Sequence, residues 1–213
     1  MNEENLNEVK STYTQYDFDR PDKFSVDQLR SIESIFSVFS RNLATDISGY
    51  LRLPAEIDVK KIEQVPFQKD YLDKKERDEK VFCIVDLSGE QILFQLDVGF
   101  LLQVHSKQTG GKFGAIEEEM KKNITEFEKM TTQHLIEKYF FPNLKEAFKG
   151  VQLIEPKVME IETDPQYAKI TLPQDMIALV TLSARIQHQY TNLQVVLPFM
   201  SIEKIVEKLN SDN

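Results

Sequence analysis

The stretch Gln108-Thr109-Gly110-Gly111-Lys112-Phe113-Gly114 gathers three of the chain's seven glycines around one lysine. Glycines beside a cation let a backbone approach a phosphate closely, so nucleotide chemistry is the first reading to test. The phosphate loop of nucleotide hydrolases needs a glycine, four residues, then Gly-Lys-Ser/Thr, and here Phe113 stands where the metal-binding hydroxyl belongs. The dinucleotide fingerprint needs a strand before its glycines, whereas "VGFLLQVHSKQ" carries the apolar spacing of a short helix. What remains is a helix stop, where glycine accepts the left-handed backbone and the next helix can begin.

The other reactive side chains are weaker candidates. His105, His134 and His188 form no HExxH or HxxxH pair, and the single cysteine, Cys83, lies inside the apolar run "VFCIVDL", so no zinc-ligand spacing is present. Glu160, Glu162 and Asp164 alternate along a strand pattern and share one face, as a cation site or acid/base pair would require. Met159, Ile161 and Thr163 fill the opposite face, which is the alternation of an ordinary half-solvated strand. No Gly-x-Ser-x-Gly elbow occurs. The residues therefore predict no enzyme, no cofactor and no metal.

The elements around these residues repeat. Ser25 with Gln28 makes a capping box, Phe24 and Leu29 a hydrophobic staple, and Leu29, Ile32, Phe36, Phe39, Leu43, Ile47 and Tyr50 a helical stripe that ends before Pro54. Strands follow at 56–64, 81–87 and 90–96, the last two joined by Ser88-Gly89, and then the short helix leads to the glycines. A second long helix is expected to run from the glycines, with Ile116, Met120, Ile124, Phe127, Thr131 and Leu135 on its inner face, and to break near Pro142. Strands at 151–163, 175–187 and 191–199 and a short helix from Ser201 complete the same order. Each unit alone would leave a bare apolar sheet face, so the two should share one sheet with helices packed on it. The expected organisation is a disordered tail over 1–15 and one domain over 16–209, built of halves at about 16–109 and 110–209.

The formal charge of −9 and pI near 5.0 oppose phosphate backbones and anionic lipid, so nucleic acid is excluded as a partner. No apolar run approaches the ~18 residues of a membrane span, the N-terminus has no secretory leader pattern, and the lone cysteine suits a reducing cytosol.

Three long segments, in order, resemble the middle domain of the flagellar motor switch protein FliM family. They are "YDFDRPDKFSVDQLRSIESIFSVFSRNLATDISGYLR" (16–52), the Gly-Gly pair followed by "AIEEE", and "EPKVMEIETDPQYAKITLPQDMIALVTLSARI" (155–186). The resemblance implies a three-layer α/β/α fold with pseudo-twofold symmetry and a non-enzymatic ring subunit at the cytoplasmic face of the flagellar basal body. It also implies contact with the rotor protein FliG through Thr109, Gly110, Gly111, Lys112 and Phe113, and with neighbouring switch subunits of the FliM or FliN kind. The family pattern continues Gly-Gly-Pro-Gly, whereas Lys112 and Phe113 occupy those places here. The family's CheY-capturing tail motif is not found in "MNEENLNEVKSTYTQ", and its FliN-like domain would follow residue 205; the expectation is a middle domain alone or a reduced relative.

The alternative is a CheC-type phosphatase of phosphorylated CheY, a family similar in fold that positions water with Glu-x-x-Asn on each long helix. Here Asn42 is preceded at that spacing by Phe39, and Asn123 by Met120.

Overall fold

The computed structural model describes residues 24–67, 79–114 and 124–203. The expected tail over 1–15, residues 68–78 between the first two expected strands, and Ile116, Met120 and Asn123 lie outside the described residues.

Helix α1 spans Val26–Leu51 and starts where the capping box places it. The Ser25 hydroxyl accepts the Gln28 N–H at 3.1 Å, and the Gln28 side chain accepts the Ser25 N–H at 2.8 Å. Its buried face carries Ile32, Phe36, Phe39, Leu43 and Ile47, the stripe read from the spacing. The chain turns out of the helix at Arg52, in a left-handed conformation, and Pro54 prevents continuation.

Strands β1 (Ala55–Pro66), β2 (Lys80–Leu87) and β3 (Gln91–Asp97) follow, then helix α2 (Val98–Gln108). Ser88 and Gly89 both have positive φ, as the two-residue turn joining β2 to β3 requires.

The second long helix differs from the expectation at both ends. It starts afresh at Thr125, whose side chain accepts the Glu128 N–H while Glu128 accepts the Thr125 N–H. This second capping box begins α3 (Glu126–Leu135) and fixes a phase that buries Leu135 as expected but leaves Phe127 64% exposed and buries Thr132 in its place. Nor does Pro142 break the helix. A wide π turn over Ile136–Phe140 precedes α4 (Phe141–Phe148), so the proline sits at a first-turn position, where its missing N–H leaves no donor unmade.

Strands β4 (Pro156–Glu162), β5 (Met176–Ile186) and β6 (Gln189–Pro198) complete the sheet, and a helical stretch occupies 199–203. β4 begins five residues later than predicted, at Pro156 rather than 151, because Val151 and Gln152 both donate to the Phe148 carbonyl and close the end of α4.

The strand order is β1-β5-β6-β3-β2-β4, and every pairing is antiparallel. Exchanging the first three strands for the last three returns the same order reversed, which is pseudo-twofold symmetry about the β6–β3 pair. Each half lends its first strand to the edge of the other half's hairpin: β1 pairs with β5, and β4 with β2. The helices repeat too, since Phe39-x-x-Asn42-Leu43 with Gly49 recurs as Phe140-x-x-Asn143-Leu144 with Gly150.

One face of β5 sends Ala178, Val180, Leu182, Ala184 and Ile186 into the main core beneath the helices. Its other face sends Ile177 and Leu179 into a smaller cluster with Phe67, Phe82, Leu93 and Val196, over which Ala168 and Ile170 of the connection before β5 are packed. Apolar burial on both faces explains why β5 reads as a nearly continuous hydrophobic run. The main core centres on aromatic rings: Phe39 lies 6.0 Å from Phe140 and 6.1 Å from Phe94, and Phe94 meets Phe140 edge-on at 5.5 Å.

Candidate functional site

The glycine stretch is the end of α2, held by a double backbone cap. Thr109 is the cap residue and Gly110 follows with φ +88. The Gly110 N–H donates to the Lys107 carbonyl at 3.3 Å and the Gly111 N–H to the Ser106 carbonyl at 2.7 Å, the paired bonds of a Schellman motif. The Thr109 hydroxyl sits within reach of the His105 and Ser106 carbonyls at 3.2 and 3.1 Å. The two glycines therefore have different reasons to be glycine. Gly110 needs its positive φ and faces open space, whereas a Cβ on Gly111 would lie 2.8 Å from the Ser106 carbonyl oxygen.

The five residues picked out by sequence are brought together, but they are not equally available. Thr109, Gly110 and Lys112 are exposed, while Gly111 and Phe113 are half-buried. Phe113 folds back against the main core and lines a crevice of about 40 Å³ with Phe100 and Gln103 of α2 and with Ile186, Gln189 and Tyr190 of the β5–β6 hairpin. The stretch is thus pinned twice, by the cap at Gly111 and by the ring of Phe113, and it presents Thr109, Gly110 and Lys112 outward. No nucleotide geometry emerges: the loop follows a helix and closes its carboxyl end, where the dipole repels anions.

Behind the loop, His105 ties α2 to α3. It is 8% exposed, and its Nε2 lies 2.8 Å from the Thr131 hydroxyl. Burial pushes its pKa down, against a smaller upward pull from Glu128. Above about pH 6.5 the imidazole is neutral in both folded and unfolded chains, and below it the unfolded chain gains a proton that the fold resists. Stability should therefore fall as pH drops from about 6.5 toward the lower folded value. Urea denaturation at a series of pH values should show this loss in the native protein and a shallower one in His105→Gln.

The remaining candidates stay apart. His134 is on the exposed side of α3 and His188 in the β5–β6 turn. Cys83 is buried, and burial pushes its thiol far up, out of the nucleophilic range. Glu160 and Glu162 do share a face, opposite Ile84 and Phe82, but a bulge in β4 puts Val158 and Ile161 against the core and leaves Met159 exposed. Burial and then a hydrogen bond with Glu160 raise the Glu162 pKa, the behaviour of two carboxyls at a strand edge. Among the described residues no group of His, Cys, Asp and Glu could hold a metal ion, and no helix is long and apolar enough to cross a membrane.

The Phe-x-x-Asn-Leu match between the helices of the two halves, which sequence reading missed, relocates the phosphatase comparison. The helical counterpart of Phe39-x-x-Asn42 is Phe140-x-x-Asn143, not the pair ending in Asn123. Phe39 and Phe140 are 0% and 1% exposed, and the Asn143 amide is taken up by Asp46 and by the Tyr139 carbonyl, both at 2.7 Å. Neither helix offers a carboxylate where a hydrolytic water would need one.

Against known families, the model of the flagellar motor switch protein FliM matches residues 25–213. The chain belongs to the FliM family. A FliM protein of Borreliella burgdorferi is 29% identical over 196 residues, covering 92% of this chain and 55% of the relative. The Treponema pallidum FliM is 28% identical over 199 residues, covering 93% and 57%. The chain thus spans a little over half the length of the FliM relatives it matches. Among solved structures, a chain of the FliG–FliM complex from H. pylori superposes with a TM-score of 0.79 at 20% identity, over 86% of this chain and all of the other. That likeness establishes the FliM middle-domain fold, with its α/β class and internal repeat.

Proposed function

We propose that this FliM-family chain is a non-enzymatic subunit of the flagellar motor switch that docks the rotor protein FliG through the exposed part of the glycine loop and stands beside neighbouring switch subunits. The observation that carries the reading is the loop itself. Its backbone is fixed by the Gly110 and Gly111 bonds and by the Phe113 ring, so Thr109, Gly110 and Lys112 meet a partner with little backbone ordering cost. The FliM chain solved in complex with FliG supports the choice of partner. The exchanged edge strands support one domain of two similar halves over 16–209, because neither half has a complete sheet alone. The place of action is the cytoplasmic face of the flagellar basal body, with a part in setting rotation. Buried phenylalanines at both positions where a CheC-type enzyme would carry glutamate speak against the phosphatase.

In a pulldown, the immobilised chain should retain purified FliG, and incubation with phosphorylated CheY should release phosphate no faster than CheY loses it alone. Failure to retain FliG would sink the docking role. Accelerated phosphate release would restore the phosphatase.

A further inference from the structure

An open cleft of about 610 Å³ lies beside the loop, lined by Tyr50, Leu51 and Arg52 of the α1 end, Lys107 and Gln108 of α2, and His134 of α3. Gln108 is the residue before Thr109, so the cleft and the loop are continuous. Three basic side chains from three helices meet here in a chain whose formal charge is −9. Seven other Lys and Arg residues make ion pairs within 4.0 Å of a carboxylate among the described residues, but Arg52 and Lys107 make none. Each placement alone is explained by its helix, since Arg52 caps α1, Lys107 lies in the last turn of α2, where the dipole favours a cation, and His134 lies in the last turn of α3. The convergence of all three on one concavity is not. The two full positive charges of Arg52 and Lys107 exceed the partial negative charges, about half a unit each, of the helix ends around them, and a cleft whose net field is positive draws acidic groups in.

We propose that this cleft receives an acidic segment of the protein docked on the glycine loop. The fork of Arg52 takes a carboxylate in two parallel hydrogen bonds, and the Lys107 ammonium supplies a point charge to a second. The Tyr50 ring, 4.4 Å from that of Tyr139, forms an apolar wall that keeps part of the site from water. The inference rests on the docking reading above and gives that partner a chemistry: its contact surface carries aspartate or glutamate beside whatever covers Gly110.

The test uses the full chain with two probes. FliG titrated into the native protein should bind at least about tenfold more weakly when salt is raised from about 0.05 to about 0.3 M. The double variant Arg52→Gln, Lys107→Gln should be about tenfold weaker at low salt and nearly insensitive to salt, with a melting temperature lowered by no more than a few degrees, the loss expected from removing two cations from helix C-termini. Equal affinity and an equal salt slope in the variant would overturn the cleft proposal and leave docking on the loop intact. A hexaglutamate peptide, followed by amide chemical shifts, separates the two ideas. Shifts at Arg52, Lys107 and His134 support the cleft even where FliG does not bind, and their absence overturns it.

Discussion

Gly111→Ala should cost the folded chain about 1–3 kcal/mol and remove FliG binding with it, because the new Cβ meets a backbone oxygen that cannot step aside without opening the end of α2. The position has no left-handed strain to relieve, and the penalty is steric: the Ser106 carbonyl at 2.8 Å is the same atom that accepts the Gly111 N–H. Gly110→Asp should behave differently. Its Cβ enters open space, and aspartate tolerates a positive φ better than most residues, so the fold should lose only about 1 kcal/mol while the presented surface changes charge and shape. Substitutions at the two adjacent glycines thus separate two questions, one about the loop's support and one about its outward face. Thermal melts of both variants check the first, and binding to FliG the second.

Phe39→Ala should be the most damaging single change, lowering stability by about 3–5 kcal/mol and the melting temperature by about 10 °C or more. Phe39 packs against Phe36 at 5.7 Å, Phe94 at 6.1 Å and Phe140 at 6.0 Å, which joins both long helices to the centre of the sheet. A cavity there touches both halves of the repeat, and the surrounding rings belong to three rigid elements that cannot collapse into it. Phe39→Leu should recover more than half of the loss. Chemical denaturation of the three proteins measures both effects, and a cost below about 1 kcal/mol for the alanine variant would contradict this account of the core.

The first half of the chain was legible because its signals are local. Ser25 and Gln28 announce α1, and the spacing from Ile32 to Ile47 gives the buried face that the structure has. In the second half two capping signals compete. The apolar positions from Ile116 onward read as one continuous stripe, which masks Thr125 with Glu128 although it is the same capping pattern as Ser25 with Gln28. Pro142 misled for another reason: a proline is a helix breaker only where a donor is needed, and the wide turn before it removes that need. The repeat of long helix and three strands was visible as a pattern, but the crossing of β1 onto β5 and β4 onto β2 was not, since strand partners far apart in sequence are set by burial across the whole sheet.

At the candidate site, sequence placed the glycines at a helix stop, which the bonds to Lys107 and Ser106 bear out. It gave no sign that Phe113 turns inward, because its neighbours in the crevice come from residues 97–103 and 186–191. The meeting of Arg52, Lys107 and His134 in the adjacent cleft was also invisible for that reason, each lying at the end of a different helix. The Phe-x-x-Asn-Leu repeat, by contrast, is fully legible in the sequence when the two halves are aligned on it.

The central claim, docking through the outward face of this loop, is tested most directly by calorimetric titration of FliG into the native chain and into Gly110→Asp. The native chain should bind saturably and the variant at least about tenfold more weakly, with melting temperatures within a few degrees of each other. No binding by the native chain, or equal affinity for both, would contradict the claim.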